Sequence, residues 1–166
     1  MASAGADFSN DRKYRYRLWR IWDDSLPRAM LIGLNPSTAN ENKNDNTINI
    51  LIRVMTTLGY GGFYMMNCFA FIASKPELLK HNQLSDEWNN NFLIVTAGEC
   101  SDVIFAWGSF EIIKETGRDK ELMELFPNAL CFGHNQNGTP FHPRALSYKG
   151  LLNKPELIKF SSNGRE

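Results

Sequence analysis

Hydrophobic positions fall in short blocks along this chain, separated by polar or glycine-rich stretches. Residues 13–22, KYRYRLWRIW, alternate loosely and read as a strand. AMLIGL (29–34) is a continuous apolar run stopped by Asn-Pro-Ser, the pattern of a buried strand. Ile48, Leu51, Ile52, Met55 and Leu58 then recur at helical spacing, with Asp45 placed to cap the helix and Gly59 to end it. FYMMNCFAF (63–71) reads as a second buried strand, running into a loop at Ala73–Pro76. Ser85 is the expected cap of a helix whose inner face is Trp88, Phe92 and Val95, with Asp86 and Glu87 suiting the positive end of its dipole. VIFAWG (103–108) and ALCFG (129–133) supply two more strands, with helical pieces through Phe110–Ile113 and over 119–126 between them. A short helix is expected from about Ser147 onward.

Short apolar strands alternating with helices predict an α/β fold of three layers, αβα, around a central, mostly parallel four-stranded sheet. In such sheets ligands bind beyond the carboxyl ends of the strands. Those ends carry GLNPSTAN, MNCFAF, AWGS and NGTPFHPRALS, so Asn35, Asn67 and His142 are expected to face one crevice. Residues 1–160 read as one domain and 161–166, SSNGRE, as a loose tail.

Composition narrows the function classes. The 166 residues are 43% apolar and 22% charged, as in a globular chain that buries a core. Eighteen basic and eighteen acidic residues cancel, which argues against nucleic-acid binding by bulk charge. A local basic stripe remains: Arg12, Lys13, Arg15, Arg17 and Arg20 crowd together among aromatics, either as a solvated edge strand or as phosphate contacts. Cys68, Cys100 and Cys131 are odd in number and form no CxxC pair, so no metal site and no cofactor are expected. The opening MASAGADFSN is small and polar, not signal-like, and no apolar run reaches the roughly 20 residues that span a membrane. The expectation is a cytoplasmic protein with reduced thiols.

Taken together, GLNP (33–36), Asn67 in YMMNCFAF, FAWGS (105–109) and HPRALS (142–147) resemble the motifs of the uracil-DNA glycosylase superfamily, in the same order. More closely, YRYRLWRIWD, GLNPSTAN followed by DNTI, NCFAF and GTPFHP resemble a family of uncharacterised microbial and phage proteins, a domain of unknown function. The superfamily resemblance implies a DNA glycosylase-like hydrolase that cleaves the N-glycosidic bond of a damaged or modified pyrimidine in DNA. It implies Asn35 as holder of the attacking water, His142 as hydrogen-bond donor to the departing base, and Asn67 as reader of the base, with Ser37 and Asp45 as further base-binding candidates. Leu146 takes the place of a wedge that fills the hole left by a flipped base. Arg144, Ser147 and Lys149 become candidate phosphate contacts.

Two departures bear on the substrate. STAN stands where uracil-specific enzymes place an aromatic that blocks a 5-methyl group, which implies a roomier pocket. Residues 36–59 hold no Phe, Tyr, Trp or His, so the superfamily's stacking ring is missing from its usual segment. The alternatives are a binding module for a nucleotide or nucleic-acid end without hydrolysis, and a hydrolase of free nucleosides or nucleotides. His81 and His134 are expected to be structural or exposed, and Trp107 to belong to the core.

Overall fold

The computed structural model describes residues 2–79 and 87–163. The expected cap Ser85, with Asp86 and His81, lies outside the described residues. One open sheet runs through the molecule. Its strands are β1 (Ser3–Phe8), β2 (Arg15–Ile21), β3 (Arg28–Gly33), β4 (Gly62–Asn67), β5 (Asp102–Phe105), β6 (Leu130–Cys131) and β7 (Ile158–Lys159), in the order β1-β2-β4-β3-β5-β6-β7. The helices are α1 (Asn46–Thr57), α2 (Glu87–Ala97), α3 (Ile112–Glu115), α4 (Arg118–Leu125) and α5 (Pro143–Tyr148).

This corrects the expectation of a four-stranded, mostly parallel sheet. The four apolar strands β4, β3, β5 and β6 are neighbours and run parallel. Antiparallel strands extend the sheet on both sides, β2 and β1 beyond β4 and β7 beyond β6, so the sheet is mixed. The added strands lack the long apolar run that announces a central strand. β1 is SAGADF and β7 is two exposed residues, Ile158 and Lys159. The solvated-edge reading of the basic stripe is also corrected, because β2 lies between β1 and β4.

Both faces of the sheet are buried. Met30, Ile32, Tyr64, Met66 and Phe105 pack on one side against Leu93 of α2, Ile113 of α3 and Leu122 of α4. Leu18, Leu31, Phe63, Met65 and Ile104 pack on the other, against Ile48, Leu51, Val54 and Met55 of α1 and Leu146 of α5. Strands covered on both faces need apolar side chains at consecutive positions, which is why they read as runs rather than as alternation. Each such side chain is worth roughly 1.5–3 kcal/mol on burial.

α1 forms as its sequence dictates. Asp45 accepts the Ile48 N–H at 2.9 Å, and Gly59 follows the C-cap with φ +89°. The inner face of α2 differs from expectation. Val95 is 61% exposed and Trp88 60%, whereas Asn89, Leu93 and Thr96 are buried. The polar pair is buried because it is used. Asn89 Nδ2 donates to the carbonyls of Asn67 (2.9 Å) and Cys68 (3.3 Å), and Thr96 Oγ1 accepts from Arg17 Nη1 (3.4 Å). α5 also differs: it begins at Pro143, with His142 as its N-cap, and ends where a helix was expected to start. All three cysteines are free, and burial pushes the Cys68 thiol far up and the Cys100 thiol up to about 12. His134 accepts the Ser161 N–H at 3.2 Å and stacks on Phe160, a structural role that holds the chain after β7.

Candidate functional site

A cavity of about 590 Å³ opens where β3 and β4 end, roofed by the segments that follow β3, β4 and β5 and by α5. That is within the range of roughly 300–1,000 Å³ common for ligand pockets. Asn35, Asn67 and His142 all line it, as do Ser37, Asp45 and Arg144. Close backbone approaches make room for them. A Cβ on Gly33 would fall 2.6 Å from Met65 Cε and 3.0 Å from Asn67 Oδ1. Gly108, at φ +78°, lets the end of the β5 segment pass His142, whose Cβ would be 3.3 Å from an added Cβ.

Asn67 is 1% exposed and its Nδ2 has no hydrogen-bond partner among the described residues. A buried donor left unpaired costs about 1–3 kcal/mol. Asn35 is half-committed: its Nδ2 donates to the carbonyls of Ala73 (2.9 Å) and Pro36 (3.0 Å), pinning the turn after β3 to the segment after β4. Its Oδ1 accepts no hydrogen bond among the described residues, so Asn35 presents an acceptor to the cavity.

His142 caps α5, its Nδ1 accepting the Arg144 N–H at 3.1 Å. Burial first, then the Arg144 charge, lower its pKa to about 4, against an opposing pull from Asp45. The ring is therefore neutral at pH 7. With Nδ1 an acceptor, its single proton sits on Nε2, which makes that atom a donor.

Arg15 also lines the cavity, as the basic stripe did not reveal on its own. It is 3% exposed, and Nη1 donates to the Ala39 carbonyl at 2.8 Å while Nε has no partner among the described residues. Burial pulls its pKa down to about 10, with Asp45 opposing and Arg20 adding to the fall, so it stays charged at neutral pH. Arg20 plays a different part. It donates to Asn44 Oδ1 (2.8 Å) and to the carbonyls of Trp19 (2.8 Å) and Asn40 (2.6 Å), clamping the loop that joins the cavity-lining residues Thr38 and Asp45. Arg12 and Arg17 are spent on Glu41 and Asp7.

The late loop divides. Arg144 is exposed at the cavity, and Ser147 and Lys149 are exposed on α5 and beyond it without lining the cavity. Lys149 Nζ lies 5.0 Å from the Phe141 ring centre. Leu146 corrects the wedge expectation: it is 0% exposed and packs under α5 with α1, so it is a core residue. Its position in a helix, not a loop, turns it inward. Aromatic rings missing from 36–59 arrive from elsewhere, as Phe110 after β5 and Tyr148 at the end of α5 both line the cavity. Trp107 is in the core, 1% exposed, and its Nε1 has no partner among the described residues.

An open α/β sheet covered on both faces, with a polar crevice at the strand ends, defines the class of fold. Residues 15–144 match the family model described as "Protein of unknown function (DUF1643)", and the chain belongs to that family. No curated protein and no solved structure matches it. The family match agrees with the likeness to an uncharacterised family and lends no support to a link with the glycosylases. No helix among the described residues is long and apolar enough to cross a membrane. No cluster of metal-ligating side chains forms among the described residues.

Proposed function

We propose that this protein is an N-glycosidic hydrolase that takes a damaged or modified pyrimidine of DNA into the crevice. The reaction adds water across the bond: hydroxide goes to the sugar C1′ and the proton goes to the departing base nitrogen. Asn67 reads the base edge with its unpaired Nδ2 as donor and its Oδ1 as acceptor. His142 Nε2–H donates to a base carbonyl as negative charge develops there, and a neutral ring suits that task. Asn35 Oδ1 holds the water. Phe110 and Tyr148 offer rings for the base to lie against. The supporting observation is the buried, partnerless Asn67 amide in the same cavity as a neutral His142.

A second reading keeps the chemistry and changes the substrate to a free nucleoside or nucleotide. It is favoured by Leu146, whose burial removes the wedge that holds a duplex open. Both readings meet one experiment. Wild-type protein is incubated with single- and double-stranded oligonucleotides bearing uracil, hydroxymethyluracil and other modified pyrimidines, and with the free nucleosides and monophosphates. Abasic sites and released bases are scored. Cleavage is expected, with Asn67→Ala and His142→Ala each slowing it by about 10²–10³-fold. Retained binding with no cleavage of any substrate would sink the hydrolase and leave a binding module.

A further inference from the structure

The register between β1 and β2 slips once. Asp7 pairs with Arg17 and Phe8 with Arg15, so Tyr16 is skipped. Successive strand residues point to opposite faces, and without the slip Arg15 would share a face with Arg17, which meets Asp7 and Thr96. With it, Arg15 turns to the face of Leu18 and reaches Ala39 and the cavity. Strand bulges re-aim side chains in this way beside functional sites.

What is aimed inward is one edge of a guanidinium. Nη1 is occupied by the Ala39 carbonyl. Nε is buried and has no partner among the described residues. Nε–H and Nη2–H are the parallel pair that grips two oxygens of one anion. Asp45, whose charge acts on Arg15, is engaged in capping α1. The cavity's charged lining is Arg15 and Arg144 against Asp45, so it carries one net positive charge with His142 neutral. A buried, unpaired charge is costly in the empty protein and is offset when an anion arrives.

We propose that Arg15 forms a phosphate subsite inside the crevice, and that the ligand is bound as a pyrimidine nucleotide rather than a nucleoside. The nucleoside part rests on the function proposed above; the phosphate part does not. Because Arg15 is 3% exposed, its phosphate must enter the cavity. The internal phosphates of a duplex, which ride on its surface, do not reach it. A free monophosphate or a strand end does.

The test reads binding without turnover. Pseudouridine and its 5′-monophosphate, whose carbon–carbon glycosidic bond survives the proposed reaction, are titrated calorimetrically into wild-type protein, with inorganic phosphate as competitor. The monophosphate is expected to bind about tenfold tighter or more, the size of one charge-assisted hydrogen bond, and phosphate to weaken it. In Arg15→Met that preference should fall to near unity while the nucleoside affinity holds within about twofold. If Arg15→Met does not fold, Arg15→Lys serves: it keeps the charge, loses the two-pronged edge, and should cut the preference about threefold or more. Equal affinity of nucleoside and monophosphate in wild type overturns the subsite, as does a preference that persists in Arg15→Met or is undiminished in Arg15→Lys. A 5′-phosphorylated strand that outbinds its unphosphorylated twin assigns the phosphate to a nucleic-acid end; equal binding assigns it to the free nucleotide.

Discussion

His142 combines two duties in one ring: it caps α5 through Nδ1 and presents Nε2–H to the cavity. Its protonation is disfavoured in the folded state, with a pKa of about 4 against 6.5 ordinarily. The unfolded chain therefore binds the proton more readily between those values. Stability linked to His142 is complete above pH 6.5 and is lost as pH falls through about 4. His142→Asn keeps a side-chain acceptor for the cap and removes the titration. The loss of stability between pH 7 and pH 4.5 should shrink by on the order of 1–3 kcal/mol in that variant, read from urea unfolding at both pH values. An unchanged pH dependence would mean that the ring is not held neutral. Asn35 and Asn67 were legible as candidates because each follows an apolar run directly, and His142 because it opens the late motif HPRALS. Arg15 was not, because a one-residue register slip, invisible in sequence, decides which face it takes.

Among elements, α1 is legible and α2 is not, for one physical reason. Asp45 followed by Ile48, Leu51 and Met55 couples a cap to an apolar stripe, so periodicity and burial agree. In α2 the buried stripe includes Asn89 and Thr96, whose polar groups meet partners on the sheet, while Val95 and Ile94 face outward. Hydropathy cannot see a hydrogen bond from another strand. The energetic ranking should follow the packing: Leu93→Ala should cost about 2–5 kcal/mol. Asn89→Ala, which removes the donor to the Asn67 carbonyl while the Cys68 carbonyl keeps Arg118 Nε, should cost about 1–3 kcal/mol. Val95→Ser should stay within about 0.5 kcal/mol. Chemical denaturation of the three variants checks the order, and an equally costly Val95→Ser would place the inner face where sequence alone puts it. The same Asn89 bonds fix the strand end that carries Asn67, so α2 positions the crevice without lining it.

At the scale of the whole molecule, four parallel strands build the crevice, and an antiparallel pair beside them controls one of its walls. The parallel strands were readable because they are covered on both faces and must be apolar throughout. β1 and β7 were not, since their short, partly exposed segments gain order from neighbours rather than from their own pattern. The loop from Ala39 to Asn44 has no secondary structure, yet it hangs from buried guanidinium groups on β2 by bonds of 2.6–2.8 Å. In hydrogen exchange, such a loop keeps the clock of a strand. The amides of Asn42 and Lys43, each bonded to Asn40 Oδ1 at 2.9 Å, should exchange no faster than those of β2, and Arg20→Gln should quicken them by about tenfold or more while leaving α1 unchanged. Fast exchange in the wild type would mean the clamp is loose. If it is tight, the lining residues that the loop joins, Thr38 and Asp45, are in place before a ligand arrives, and little of the binding free energy is lost to ordering them.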